Sequence, residues 1–298
     1  FAIATFTTGI FRTWYGMYDL NTAMQLSSLL LIFVVIFLVI ERISRKRASF
    51  ASSNSLYKKY NIMKLKGHKS FFAMLFCFTP IFMGFILPLI ELLNWTINYK
   101  LDFFNKDFLE SSFNSLLLAI IAALLCTTIS FLINFSARFQ SNKFLSFLSS
   151  TLMLGYAVPG LILAIGITQL LTFLDNFVEF FEFNFILTGS LIGLIIAYII
   201  KSYALSNSAI ESGFQRVSSS LDDVSKTLNI SGIKLMYKIH MPLLKTGLLT
   251  SILLVGSEVI KELPATLILR PFNFETLAVS AYNYCLLYTS PSPRDRSI

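Results

Sequence analysis

Residues 216–242 read RVSSSLDDVSKTLNISGIKLMYKIHMP, the longest polar passage between two hydrophobic runs in the second half of the chain. Val217, Leu221, Val224 and Leu228 recur at helical spacing and draw one apolar stripe along a short helix. Ser220 followed by Asp223 has the form of a capping box, with Asp222 and Asp223 in a first turn where the helix dipole favours negative charge. Asn229 stands where a helix ends in left-handed backbone, a conformation that Gly tolerates best and Asn next best. Ser231 can cap a second short helix carrying Ile233, Met236 and Ile239, and Pro242 is placed to open the next one. Helices this short are marginal alone, so the passage needs something to pack against.

The surrounding composition says what that something is. Hydrophobic residues make up 55% of the chain and charged residues 13%, and the mean hydropathy is +0.70. These are the proportions of a polytopic, all-α membrane protein. A net charge of +8 would point to nucleic acid in a soluble protein. In a membrane protein the same excess follows from Lys and Arg gathering in cytoplasmic loops, so no nucleic-acid partner is expected. Cys77, Cys126 and Cys285 are scattered and odd in number, which indicates neither a disulfide framework nor a metal site. His68 and His240 lie far apart in basic loops and are expected to be surface residues.

Six hydrophobic runs stand at about 23–40, 71–93, 113–135, 146–173, 185–205 and 243–262, most of them long enough to cross a bilayer. The loop 41–70 carries nine Lys or Arg against Glu41 alone, which places it in the cytoplasm. The loop 94–112 is mixed, the turn 136–145 has Arg138 and Lys143 with no acid, and 174–184 carries Asp175, Glu179 and Glu182 with no base. The charges alternate as one crossing per run requires, and the count returns residues 206–242 to the cytoplasm. Loop 41–70, rich in Ser, Lys, Tyr and Asn, also reads as a linker between two membrane modules.

Two places inside the apolar runs break their own pattern. Within 146–173, Gly155-Tyr156-Ala157-Val158-Pro159-Gly160 interrupts helical sequence, because Pro159 lacks a donor and disfavours helical backbone at Val158. Unpaired backbone at that depth is tolerated only against protein or a water-filled cavity, so a pathway-lining bend and a packing kink both fit. The last run contains Glu258, Lys261 and Glu262. A helix opening at Pro242 would carry Glu258 roughly 24 Å along its axis, still inside the hydrocarbon core, with Lys261 and Glu262 able to pair with it along one face. A pathway or gate, and an end already at the interface, are the two readings.

The spacing of the 216–242 passage resembles the EAA loop of binding-protein-dependent ABC importer permeases, whose pattern is Glu-Ala-Ala, three residues, Gly, nine residues, then Ile-x-Leu-Pro. Asp223, Val224 and Ser225 take the first positions, Asn229 the Gly, and Ile239, Met241 and Pro242 the end, with Leu221 two residues before Asp223. Every spacing fits, while only Ile239 and Pro242 are identical to the pattern. Residues 261–284, KELPATLILRPFNFETLAVSAYNY, resemble the ferric-iron branch of these permeases, and residues 5–17, TFTTGIFRTWYGM, resemble the end of the first half of such a chain. The two segments also align weakly with each other, Phe6-x-Thr8 on Phe274-x-Thr276 and Trp14 on Tyr282.

The resemblance implies a type I ABC importer transmembrane domain. Residues 1–40 would end the first permease half, with its last helix at 23–40, and 41–70 would be the basic linker. Residues 71–284 would form the second module without its final helix. Residues 285–298, CLLYTSPSPRDRSI, read as a non-native tail, so the sequence is expected to be a fragment. The implied partners are a cytoplasmic ABC ATPase dimer, a periplasmic substrate-binding protein and the inner-membrane bilayer. No GxxxxGK[ST], HExxH or GxSxG sequence occurs, so ATP is expected on the partner ATPase, with no cofactor, metal or catalytic residue on this chain. The expected coupling residues are Leu221, Asp223, Val224, Ser225, Asn229, Ile239 and Pro242, and the expected pathway or gate residues are Tyr156, Pro159, Glu258, Lys261 and Glu262. Thiamine, a polyamine, sulfate or phosphonate are the alternative substrates. An ion-coupled secondary transporter using Glu258, Lys261 and Glu262 is the rival mechanism.

Overall fold

The computed structural model describes residues 5–47, 65–98, 105–139, 143–180 and 187–289, and every regular element among them is helical. Much of loop 41–70, parts of the loops 94–112 and 174–184, and residues 290–298 lie outside the described residues. The chain forms two units, residues 1–40 with 107–298, and residues 41–106.

In the larger unit, α1 (Phe6–Phe11) starts from Thr5, whose hydroxyl accepts the Thr8 amide. A π turn over Arg12–Gly16 leads to α2 (Leu20–Arg47), and Asp19 caps it by accepting both the amide and the hydroxyl of Thr22. The smaller unit contains α3 (His68–Ile81) and α4 (Leu87–Asn98), joined by a π turn at Phe82–Ile86 into one 31-residue apolar span. Pro80 and Pro88 flank that turn, each removing one ladder hydrogen bond.

The larger unit continues with α5 (Lys106–Phe139), α6 (Lys143–Leu154), α7 (Gly160–Phe180) and α8 (Leu191–Gln215). Short helices α9 (Ser219–Thr227), α10 (Gly232–Leu235) and α11 (Met241–Leu243) follow, and then α12 (Lys245–Ile260), α13 (Pro264–Leu269) and α14 (Leu277–Thr289). Among the described residues, five spans are long and apolar enough to cross a membrane, and the bent pair ending in α12 makes up to six.

Three runs differ from their sequence boundaries. The run 146–173 is not one crossing, because α6 stops at Leu154 and only the stretch from Gly160 onward is span-length. The run 185–205 becomes 191–215: a turn at Gly189 (φ 75°) delays the helix, and polar residues beyond 205 stay helical because they are bonded inside the bundle. The last helix does not open at Pro242. The chain bends 75° at Leu244, and α12 begins at Lys245, so Glu258 lies about 20 Å along it.

The core is built on close approach. The buried face of α5 is Ser111, Ser115, Leu118, Ala119, Ala122, Ala123, Cys126 and Thr127, mostly small residues at helical spacing. Lipid supplies no hydrophobic drive between helices, so short side chains that let backbones meet, and hydroxyls that bond across, do the packing. The Thr127 and Ser251 hydroxyls are 2.7 Å apart; Ser251 donates to Ser206 at 2.8 Å, and Ser206 to the Cys126 carbonyl at 3.2 Å. One chain of hydroxyls therefore ties α5, α12 and α8. Leu194, Ala197, Val255, Val259 and Leu269 fill the layer around it.

Candidate functional site

The 216–242 passage folds as two short helices with a left-handed break. Asn229 has φ 59°, and the Ile230 amide reaches back to the Ser225 carbonyl at 2.9 Å, the 6→1 bond of a Schellman ending. Ser231 precedes α10 in extended backbone, although its side chain makes no cap bond. The start differs from the expected capping box. Ser218 accepts the Ser220 amide at 3.2 Å, so α9 begins at Ser219, with Asp222 as the acid of its first turn.

The stripe also turns out differently. Val217 and Leu221 are half-buried, but Val224 is 58% and Leu228 68% exposed. The buried side of α9 is Asp222 and Ser225 instead. Arg138 and His240 claim the Asp222 carboxylate, and a buried charge must keep its partners, so they set the rotation of the helix. Arg138 Nε donates to Asp222 Oδ2 at 2.5 Å, and His240 Nε2 lies 2.9 Å from Asp222 Oδ1. The rest of the guanidinium grips the end of α8, Nη1 on the Phe214 carbonyl and Nη2 on the carbonyls of Val217 and Ser218.

His240 is not a surface residue. It is fully buried, with the rings of Phe135, Phe139 and Phe214 at 5.4, 6.1 and 5.5 Å. Burial holds its pKa below the usual 6.5, against the pull of Asp222, whose charge Arg138 already balances. His68 is exposed as expected. Among the expected coupling residues, Asp223, Val224, Asn229 and Pro242 are exposed, Leu221 and Ile239 half-buried, and Ser225 buried. Ile233 and Tyr237 are exposed beside them, at 72% and 57%.

A second cluster lies inside the bundle. Gly155–Ala157 form a 3₁₀ turn, Val158 is extended, and α7 restarts at Gly160, which is the break that Pro159 predicts. A second break follows α12, where Lys261 ends the helix and Pro264 opens α13. Both breaks pack on the same spot of α8. A Cβ at Gly155 would stand 2.4 Å from the Ile200 carbonyl oxygen, and one at Gly160 2.5 Å from Glu262 Oε1 and 2.9 Å from Lys201 Nζ. Lys201 and Glu262 form a 2.5 Å ion pair, with side chains 17% and 7% exposed. Glu262 also accepts the Ala265 amide at 3.4 Å, and the Tyr198 and Thr266 hydroxyls meet at 2.7 Å beside it.

The expected gate residues thus come together from two runs, with one change of partners. Glu258 pairs with Lys261 at 2.8 Å, and Tyr156 is near enough to act on the Lys261 charge. Glu262 does not join that face, because the helix has already ended, and it pairs with Lys201 instead. Lys201, Arg138, Asp222 and His240 were not among the expected site residues. A single Lys inside an apolar run is the signal that points to Lys201; nothing in the local sequence marks His240.

At the end of the bundle away from the 216–242 passage, a cavity of about 900 Å³ is lined by Asp107, Glu110, Arg270, Glu275, Asn283 and Tyr284, among others. Arg270 pairs with Glu275, so acids outnumber bases on its wall.

Broken apolar helices enclosing a buried ion pair, with an anchored polar passage at one end, define a multi-pass helical membrane protein with a polar site inside its bundle. The chain belongs to the family of binding-protein-dependent transport system inner membrane components, whose pattern it matches over residues 134–284, the stretch that contains both clusters. An Fe(3+)-transport system permease protein of Haemophilus influenzae is 22% identical over 286 residues, 94% of this chain and 54% of the relative. A molybdate/tungstate transport system permease protein of Methanocaldococcus jannaschii is 26% identical over 199 residues, 66% of this chain and 78% of the relative. A ferric transport system permease protein of Actinobacillus pleuropneumoniae is 28% identical over 261 residues, 78% of this chain and 35% of the relative. The chain spans about half the length of the first of these and about a third of the last.

Proposed function

We propose that this chain is part of the membrane-spanning permease of an ATP-driven, binding-protein-dependent importer that carries ferric iron across the inner membrane. It performs no hydrolysis itself: ATP is held by a cytoplasmic ATPase dimer, and a periplasmic binding protein delivers the substrate. Residues 1–40 close a first permease half and 71–284 belong to the second, with loops 41–70, 136–145 and 206–242 on the cytoplasmic side.

The observation that carries this reading is the two-sidedness of the 216–242 passage. Its inner side is bonded to the bundle through Asp222, while Val224, Leu228, Ile233 and Tyr237 turn apolar surface outward. Apolar side chains grouped on a polar passage suit a groove on a partner protein. Closure of the ATPase dimer pushes this surface, and the push opens the path between the two helix breaks, where Tyr156, Pro159, Glu258, Lys261 and Glu262 form the gate together with Lys201. Irregular backbone and paired charges inside the bundle are what an alternating pathway requires.

The cation assignment draws on the cavity wall, where Asp107, Glu110 and Glu275 stand against Arg270 alone among the described residues. A negative wall concentrates cations and disfavours an oxyanion such as molybdate. The test is uptake into vesicles bearing the whole transporter, with ferric ion or molybdate offered on the binding protein. Val224→Glu with Ile233→Glu should strip the ATPase from the purified complex while the permease still inserts. Full retention of the ATPase in that variant would sink the coupling role, and uptake of molybdate but not ferric ion would sink the substrate.

A further inference from the structure

We infer that Asp222 is a positioning residue that fuses the coupling loop to the ends of α5, α8 and α12, so that a push on the loop moves three membrane helices as one body. The inference rests on the coupling role proposed above and adds how the force leaves the loop.

Asp222 is 5% exposed and uses both carboxylate oxygens, one on Arg138 from α5 and the other on His240 from the turn that leads to α12. Arg138 spends its remaining donors on the carbonyls of Phe214, Val217 and Ser218, at 3.2, 2.9 and 3.0 Å, which closes the last turn of α8 into the same cluster. The planar fork of an arginine holds several acceptors in one fixed geometry. His240 is wedged among Phe135, Phe139 and Phe214, and four residues later Leu244, 3% exposed, marks the 75° bend into α12. Leu244 packs with Phe131, Ile210 and Phe214, and its side chain lies so near Gly213 that a Cβ there would stand 2.8 Å away. No element in this cluster can shift without breaking a bond or a packed ring.

A cap for α9 would not need this. Ser218 already caps the helix with a neutral hydroxyl. Burying a carboxylate, a guanidinium and an imidazole costs desolvation that a hydroxyl does not, and what this cluster gains in return is a fixed geometry. His240 Nδ1 has no partner among the described residues, so His240 donates from Nε2 to Asp222 as the neutral ring, and its role is one directed bond.

The experiment uses the assembled transporter, permease with ATPase and binding protein, in lipid vesicles. Spin labels are placed at Thr227 on α9 and Gln215 at the end of α8, both exposed, and their distance is measured without nucleotide and with ATP and vanadate. The distance stays the same in the two states when the loop and helices move together. His240→Phe keeps the ring packing and loses the bond, while Asp222→Asn loses the charge. Each should broaden the distance distribution and cut uptake per ATP by about tenfold, within the range typical of coupling between linked sites, and His240→Gln should restore most of it. If Asp222→Asn fails to assemble, His240→Phe decides. A wild-type distance that changes on vanadate trapping, or His240→Phe transporting at the wild-type ratio, overturns the inference. Retention of the ATPase by the Val224→Glu, Ile233→Glu variant overturns the coupling role instead, and the label distance does not depend on that result.

Discussion

Removing one member of the Lys201–Glu262 pair should destabilise the protein far more than removing both. Lys201 lies about 15 Å from the start of α8, near the middle of a helix about 37 Å long. The two side chains are 17% and 7% exposed and 2.5 Å apart, on the bare backbone of Gly160. Among the described residues, Lys201→Met leaves the Glu262 carboxylate with the Ala265 amide alone, and Glu262→Gln leaves the Lys201 ammonium without its ion-pair partner. A charge stranded in this way costs ~3–5 kcal/mol, whereas replacing both partners is often close to neutral. Each single variant should therefore lower the melting temperature of the purified protein by roughly 6–20 °C, at about 2–4 °C per kcal/mol for a chain of this size. The double variant should recover most of that, so its loss falls short of the sum of the two single losses by roughly 5 kcal/mol or more in the cycle. Thermal unfolding in detergent, read by tryptophan fluorescence, is the assay. Single variants within about 0.5 kcal/mol of wild type, or strictly additive losses, would refute the account of a buried and mutually dependent pair.

Acid should loosen the loop before it loosens the bundle. Burial depresses the pKa of His240 below its unfolded value of 6.5, so the contribution of the neutral ring is fully present above pH 6.5 and is lost as pH falls from there toward the folded-state value. Protection of the α9 amides from hydrogen exchange, taken relative to the intrinsic rate at each pH, should fall across that window, and His240→Gln should abolish the fall; a flat wild-type protection profile would count against it. Asn229, at φ 59°, should accept Gly with a gain of roughly 0.5 kcal/mol, while Asn229→Val should cost about 1–2 kcal/mol. Identical melting temperatures for the three proteins would contradict a left-handed helix ending.

The polar passage shows how far local reading reaches. The Schellman ending at Asn229 is legible because a short polar residue after the last helical turn has a direct backbone meaning, and the break at 155–160 is legible because proline removes a donor wherever it stands. The rotation of α9 is not legible. Its apolar stripe argues for burying Val224 and Leu228, and the protein exposes them because Arg138, 84 residues before Asp222, fixes the opposite face. Likewise Glu262 has Lys261 and Glu258 as neighbours in sequence, yet its partner Lys201 is 61 residues away on another helix.

Composition and hydropathy by themselves determined a helical membrane protein and the neighbourhood of its spans, and the local chemistry of residues 216–242 determined the helix ending at Asn229. Those properties belong to segments of ten to twenty residues, whose free energy in water or lipid depends on their own side chains. Only the tertiary structure decided which face of the loop is bound to the bundle, that His240 is buried, and that two helix breaks meet at Lys201. Those are choices among partners distant in sequence, and a buried charge takes whichever counter-charge the packing brings within reach.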